Sequence, residues 1–182
     1  MIRDLICWIQ ANRVTSLELG PFQWTNDAVV HKLVAGNFAC PTLAKVKLTG
    51  CMISPLPTFP SRLAMQELHL ESCELTTNDI IRLSVGLVDS NVERLVLART
   101  NHVHFGFQTL LQALPRSKVT NLELSHCGLG DQALATLAPL LVPTRLELLI
   151  LDGNPITNVG VVAIGRAIRA SPTIQYLCLQ YC

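Results

Sequence analysis

One short pattern restricts what this chain can fold into more than any other feature. It runs apolar, two variable residues, apolar, one variable residue, apolar. The pattern occurs seven times: Val14-Thr-Ser-Leu17-Glu-Leu19, Leu43-Ala-Lys-Val46-Lys-Leu48, Met65-Gln-Glu-Leu68-His-Leu70, Val92-Glu-Arg-Leu95-Val-Leu97, Val119-Thr-Asn-Leu122-Glu-Leu124, Leu146-Glu-Leu-Leu149-Ile-Leu151 and Ile174-Gln-Tyr-Leu177-Cys-Leu179. Successive copies begin 29, 22, 27, 27, 27 and 28 residues apart. A unit this short cannot bury its own apolar face, so the copies must stack and share one continuous core. Alternation of apolar and variable positions within each copy predicts a strand.

Between the strands, the segments from Thr76, Asp131 and Asn158 place apolar residues three and four apart, which predicts helices that begin near capping Thr, Asp or Asn residues. Three residues past the last apolar position stand Cys51, Cys73, Cys127 and Cys182, with Asn154 in the same place in another copy. A small side chain with a hydrogen-bonding tip suits the point where the chain turns out of the strand, because it can satisfy backbone groups that the turn leaves buried. These residues are expected to form a structural column instead of a redox or metal site. In the fourth copy Thr100 holds that place and is followed by Asn101, which predicts a turn shifted by one residue. The second unit is only 22 residues long and carries Pro55, Pro57 and Pro60, so its outer segment should be extended or a single helical turn.

The pattern resembles the leucine-rich repeats of the ribonuclease-inhibitor type over Val14 to Cys182. The strongest likeness is at Leu146, Leu149, Leu151, Asn154, Ile156 and Gly160. The resemblance implies an α/β solenoid, a horseshoe segment with parallel β-strands on its concave face and helices on its convex face. Residues 1–182 then form a single repeat domain, with strand units starting near 14, 43, 65, 92, 119, 146 and 174. Residues 1–13 are read as an N-terminal capping helix or half repeat, with Leu5, Ile6 and Ile9 on one face and Trp8 beside them. No polar cap follows the last strand, which predicts that repeats continue beyond Cys182.

Composition narrows the function. With 14 Lys and Arg against 13 Asp and Glu, and no basic run, nothing favours nucleic acid or an anionic membrane surface. No apolar run is long enough to span a bilayer. Asp4 interrupts what would have to be a signal core, and no Asn-X-Ser/Thr acceptor occurs, so a cytoplasmic location is expected. Phosphate-loop, nucleophile-elbow and HExxH motifs are absent, so no catalytic residue, cofactor or small-molecule substrate is assigned. His102 and His104 lack a third ligand nearby. Ser125-His126-Cys127 would point neighbouring side chains in different directions, and Cys127 is better used in the column.

What remains is the outward side of the sheet, whose members follow from period two. One row reads Ser16, Lys45, Glu67, Arg94, Asn121, Leu148, Tyr176, and its neighbour reads Glu18, Lys47, His69, Val96, Glu123, Ile150, Cys178. In the first half, Lys45, Glu67 and Arg94 alternate in sign beside Lys47 and His69, as either a ladder of exposed ion pairs or a polar docking surface. In the second half, Leu148, Ile150, Tyr176 and Cys178 cluster, with Tyr181 on the following turn, and such a group marks an interaction site. The expected function is therefore a non-enzymatic protein–protein interaction module that binds a protein partner through its concave face. The alternatives are a GTPase-activating protein of the Ran-type repeat family, with Arg94, Arg99 or Asn121 eligible by position, or a structural spacer in a larger protein.

Overall fold

The computed structural model describes residues 2–21, 32, 34–36, 38, 40–59, 63–100 and 104–182. In chain order its elements are α1 (Ile2–Ala11), β1 (Ser16–Leu19), β2 (Lys45–Thr49), β3 (Glu67–Glu71), α2 (Thr77–Leu87), β4 (Arg94–Val96), α3 (His104–Ala113), a 3-10 turn (Leu114–Arg116), β5 (Asn121–Glu123), α4 (Asp131–Leu141), β6 (Leu148–Ile150), α5 (Asn158–Ala170) and β7 (Tyr176–Cys178). The strands form one seven-stranded parallel sheet whose spatial order is the order of the chain. The helices follow the same succession, α2 packing on α3, α3 on α4 and α4 on α5. This is the α/β leucine-rich-repeat solenoid that the pattern predicts, built from contacts between sequence neighbours.

The core explains the repeat. Val46, Leu68, Leu95, Leu122 and Leu149 are paired in register on successive strands and are buried. Leu48, Leu70, Leu97, Leu124 and Leu151 form a second buried row. Removing one such leucine to alanine costs about 2–5 kcal/mol, because the void cannot collapse between two neighbouring units. Helices close the other side of this core. In α2 the residues Ile80, Leu83 and Leu87 are buried at helical spacing, and in α5 Gly160, Ile164 and Ala167 are. In α1, Ile9 is buried and Leu5 packs partly against the core, whereas Trp8 is exposed.

Polar side chains hold the turns. Cys51 Sγ donates to the carbonyl of Gly20 at 2.9 Å, Cys73 to Leu48 at 3.3 Å and Cys127 to Leu97 at 3.0 Å. Each thiol thus reaches back to the strand end of the preceding repeat. Asn154 does more. Its Nδ2 donates to Leu124 O at 2.8 Å and Leu151 O at 2.7 Å, while its Oδ1 accepts from the amides of Cys127 at 2.9 Å and Leu129 at 3.0 Å. Cys182 contacts Leu151 O at 3.4 Å but is exposed.

Immediately before each of these positions the backbone turns left-handed, at Gly50, Ser72, Arg99, His126, Gly153 and Tyr181. Arg99 occupies that place in the fourth unit and Thr100 is buried in the column, donating to Ala98 O at 3.5 Å. The expected one-residue shift is therefore corrected: the turn keeps its register because threonine also supplies a small side chain with a hydrogen-bonding tip. A second column escaped the sequence reading. Ser90, Ser117, Thr144 and Ser171, each 27 residues from the next, accept from the amide two residues on and lead the chain back into a strand.

The short second unit has no helix in residues 50–59, while Pro60 lies outside the described residues. Its non-helical segment is tied to α2 by one carboxylate. Asp79 accepts from Ser54 Oγ at 2.6 Å and the Leu56 amide at 2.6 Å, and also completes a capping box with Thr76. Arg82 adds a bond to the Leu56 carbonyl. Asp131 bridges units in the other direction, accepting from the Thr157 amide at 2.9 Å and the Gly160 amide at 3.0 Å at the start of α5.

Candidate functional site

Strand register turns the two outward rows into physical neighbours. Ser16, Lys45, Glu67, Arg94, Asn121, Leu148 and Tyr176 are successive partners, and so are Glu18, Lys47, His69, Val96, Glu123, Ile150 and Cys178. Their burial alternates with that of the leucines, half-buried and buried residues taking turns along β2 and β3, so these side chains share the face opposite the core.

In the first half the charges do not form the alternating ladder that the sequence allows. Lys45 Nζ lies 3.0 Å from Glu18 Oε1 and not on Glu67. Glu67 Oε2 instead meets His69 Nε2 of its own strand at 3.2 Å. The Lys45 ammonium holds the Glu18 carboxyl below its usual range. Burial pushes the His69 imidazole below its usual value, and the nearby Arg94 and Lys45 charges act in the same direction against the hydrogen bond to Glu67. Lys47 stands beside Glu18 and His69 in register and is half-buried.

In the middle of the face Arg94, Val96, Asn121, Glu123, Leu148 and Ile150 pack side by side and leave no space that a water molecule could enter. Val96 points outward by register yet is only 5% exposed, flanked by His69 and Glu123. The Nε of Arg94 is buried here and has no hydrogen-bond partner among the described residues. Glu123 accepts from Ser125 Oγ at 3.2 Å. Of the residues eligible for a GTPase-directed role, Arg94 and Asn121 face each other in register, whereas Arg99 projects from the exposed turn beyond β4.

The second half is apolar. Leu148 and Ile150 are half-buried on β6, and their partners on β7 are Tyr176, 65% exposed, and Cys178. Tyr181, 89% exposed, sits on the left-handed turn that follows. The expected cluster is thus a contiguous surface.

One concavity was missed by the sequence reading. An open groove of about 580 Å³ on the helical side is lined by Phe105, Gln108, Gly130, Gln132, Thr136 and Pro155, among others, with Phe105 80% exposed. The signal was available, because Phe105 lies off the stripe that buries Phe107, Leu110 and Leu111. The candidate pair His102 and His104 is not placed: residues 101–103 lie outside the described residues, as does the His104 side chain. Among the described residues no group of three or more His, Cys, Asp or Glu converges as metal ligands, and no helix is long and apolar enough to cross a membrane.

Comparison with known proteins bears on the repeat itself. The family described as Leucine Rich repeat matches residues 117–138 and 144–165, which carry β5, the start of α4, β6 and much of α5. The human NACHT, LRR and PYD domains-containing protein 14 is 32% identical over 123 residues, which is 65% of this chain. The chain spans only 11% of that protein's length. Leucine-rich repeats are therefore present in this chain.

Proposed function

We propose that this chain is a non-enzymatic protein-interaction module of the ribonuclease-inhibitor-like repeat type, which docks a protein partner on the outward face of its sheet. The observation that carries the reading is the join between β6 and β7, where Leu148, Ile150, Tyr176 and Cys178 meet on the face opposite the core, with Tyr176 65% exposed among the described residues. An aromatic beside aliphatic side chains supplies contact area at small entropic cost, and truncating such an anchor typically costs about 2 kcal/mol or more of binding energy. β6 is held between β5 and β7, which keeps Leu148 and Ile150 preorganised, so little ordering of that strand is left to association. The polar half, with Lys45, Lys47, Glu67, His69 and Arg94, sets orientation in this reading. A cytoplasmic setting belongs to it as well, since reducing conditions keep thiols such as Cys73 and Cys127 free. The human relative, whose name includes LRR, is consistent with such a module.

The test is affinity capture from native extract with wild-type protein and the variant Leu148→Glu/Ile150→Lys/Tyr176→Ala, both shown to be folded by circular dichroism. Partners held by the wild type and lost by the variant are the expected result. Identical capture by the two proteins refutes docking on this surface.

A further inference from the structure

The apolar cluster of the sheet face is bordered by charge of one sign. Residues 119–125, 146–152 and 174–182, which carry β5, β6 and β7, contain Glu123, Glu147 and Asp152 and no Lys or Arg. Glu123 is the register partner of Ile150. Glu147 stands one residue before Leu148 and Asp152 two residues after Ile150, at the two ends of β6. The other half of the face differs, because residues 43–49, 65–71 and 92–98 balance Lys45, Lys47 and Arg94 against three glutamates.

The protein leaves the three acids without a counter-charge. Glu123 accepts from the Ser125 hydroxyl at 3.2 Å and Asp152 from the Gln180 amide at 2.7 Å, both uncharged donors. Glu147 is exposed, and the other two are half-buried. Arg94 on β4 and Arg145 in the loop before β6 form no ion pair with them among the described residues. A partner that covers Leu148, Ile150 and Tyr176 takes water away from the carboxylates beside them, which is costly unless it brings the opposite charge. An acidic segment would meet like charge instead. Glu147 and Asp152 are five residues apart, at most about 18 Å. In an extended segment, side chains two residues before and after an anchor share its face and span about 13 Å, so long cationic side chains at those places reach toward both acids.

We infer that the β6–β7 surface takes a basic segment of the protein partner, in which an aromatic or large aliphatic anchor lies on Leu148, Ile150 and Tyr176 and a Lys or Arg stands two residues to either side. This rests on the docking reading of the sheet face and names the partner's chemistry.

Four sets of immobilised synthetic peptides test this. Three carry a central Trp or Leu with Lys, Gln or Glu two residues to each side, and the fourth carries the Lys flanks around a central Ala. They are probed with the full chain as wild type, as Glu123→Gln/Glu147→Gln/Asp152→Asn and as Leu148→Glu/Ile150→Lys/Tyr176→Ala, all shown to be folded by circular dichroism. The amide variant keeps an acceptor oxygen for Ser125 and for Gln180 and removes only the charge. Wild type should retain the Lys-flanked anchor roughly tenfold better than the Gln-flanked one, and the Glu-flanked one least, with the preference falling as salt is added. The amide variant should hold the Lys and Gln sets alike. Glu147→Gln alone, on an exposed side chain, should narrow the preference about two- to threefold.

Equal retention of the Lys and Gln sets by wild type overturns the inference, as does a Lys preference that persists unchanged in either amide variant. Retention of the central-Ala set as strong as that of the anchored Lys set also overturns it, since the attraction would then be diffuse charge. Failure to retain any set does the same. Retention that ignores the flanks and is lost in Leu148→Glu/Ile150→Lys/Tyr176→Ala would leave the docking reading standing and remove its charge selection.

Discussion

Replacing Asn154 by alanine should destabilise this protein more than any single truncation on its surface. The side chain is 1% exposed and joins two repeats through five hydrogen bonds: two accepted from the amides of Cys127 and Leu129, and three donated to the carbonyls of Leu124, Leu151 and, at 3.5 Å, Asp152. Alanine leaves those groups in a turn that water does not reach. An unsatisfied buried group costs about 1–3 kcal/mol, so the two amides alone bring about 2–6 kcal/mol. Relaxation of the turn and the rarity of larger losses place the expected value at about 3–5 kcal/mol. For a chain of this size that lowers the melting temperature by roughly 6–20 °C. Asn154→Cys is the control, because cysteine performs part of the same task at position 127, where its thiol donates to Leu97 O. It restores one donor but only a weak acceptor, so its stability should fall between wild type and Asn154→Ala. Urea unfolding followed by circular dichroism measures all three. A loss below about 1 kcal/mol for Asn154→Ala would refute the accounting, since it would mean that the amides find other partners.

Asp79 should make the protein acid-sensitive. Burial raises its pKa, but the hydrogen bonds from Ser54, Thr76 and the Leu56 amide outweigh burial and hold it below the ordinary 3.8. A depressed folded-state pKa means that this contribution is complete above about 3.8 and is lost as pH falls through the lower folded value. Asp79→Asn should therefore be less stable than wild type at neutral pH, with the gap closing in acid; parallel pH profiles would count against this. Burial pushes the thiol of Cys73 up to about 12 and that of Cys127 up to about 11. Iodoacetamide should thus modify the exposed Cys7 and Cys182 in native protein and leave Cys73 and Cys127 until unfolding, as read by peptide mass spectrometry. Equal rates at Cys127 and Cys182 would contradict the buried column. Gly160→Ala sets two effects against each other. Helix propensity favours alanine by about 1 kcal/mol, but a Cβ would stand 2.5 Å from Asp131 Oδ1 and 2.9 Å from Ile156 Cγ2. The clash should win, with a net loss of about 1–3 kcal/mol in urea unfolding, and a more stable variant would show that the Asp131 bridge is dispensable.

Most of this architecture was legible before any coordinates, because a solenoid is nearly one-dimensional. Each unit meets only its neighbours, so the spacing of Leu68, Leu95, Leu122 and Leu149 already states which residues touch. Alternation along each strand states which ones face away from the core. The rows from Ser16 to Tyr176 and from Glu18 to Cys178, and the column through Cys51, Cys73, Cys127 and Asn154, follow from that periodicity alone. The serine and threonine column at 90, 117, 144 and 171 carried the same signal and went unread because its members occupy the connections and not the strands.

Tertiary structure decided what depends on reach and not on phase. Which acid neutralises Lys45 is a matter of side-chain length and rotamer, and Glu18 prevails over the register partner Glu67. The tie from Asp79 to Ser54 and Leu56 joins residues with no pattern in common, since it exists only where a helix start passes an irregular segment. That Arg94 Nε meets no acceptor among the described residues is likewise invisible in a sequence, because it is a property of the surrounding space. Periodicity thus settles the direction of a side chain in a repeat, whereas its partners are settled by distances that only the folded chain creates.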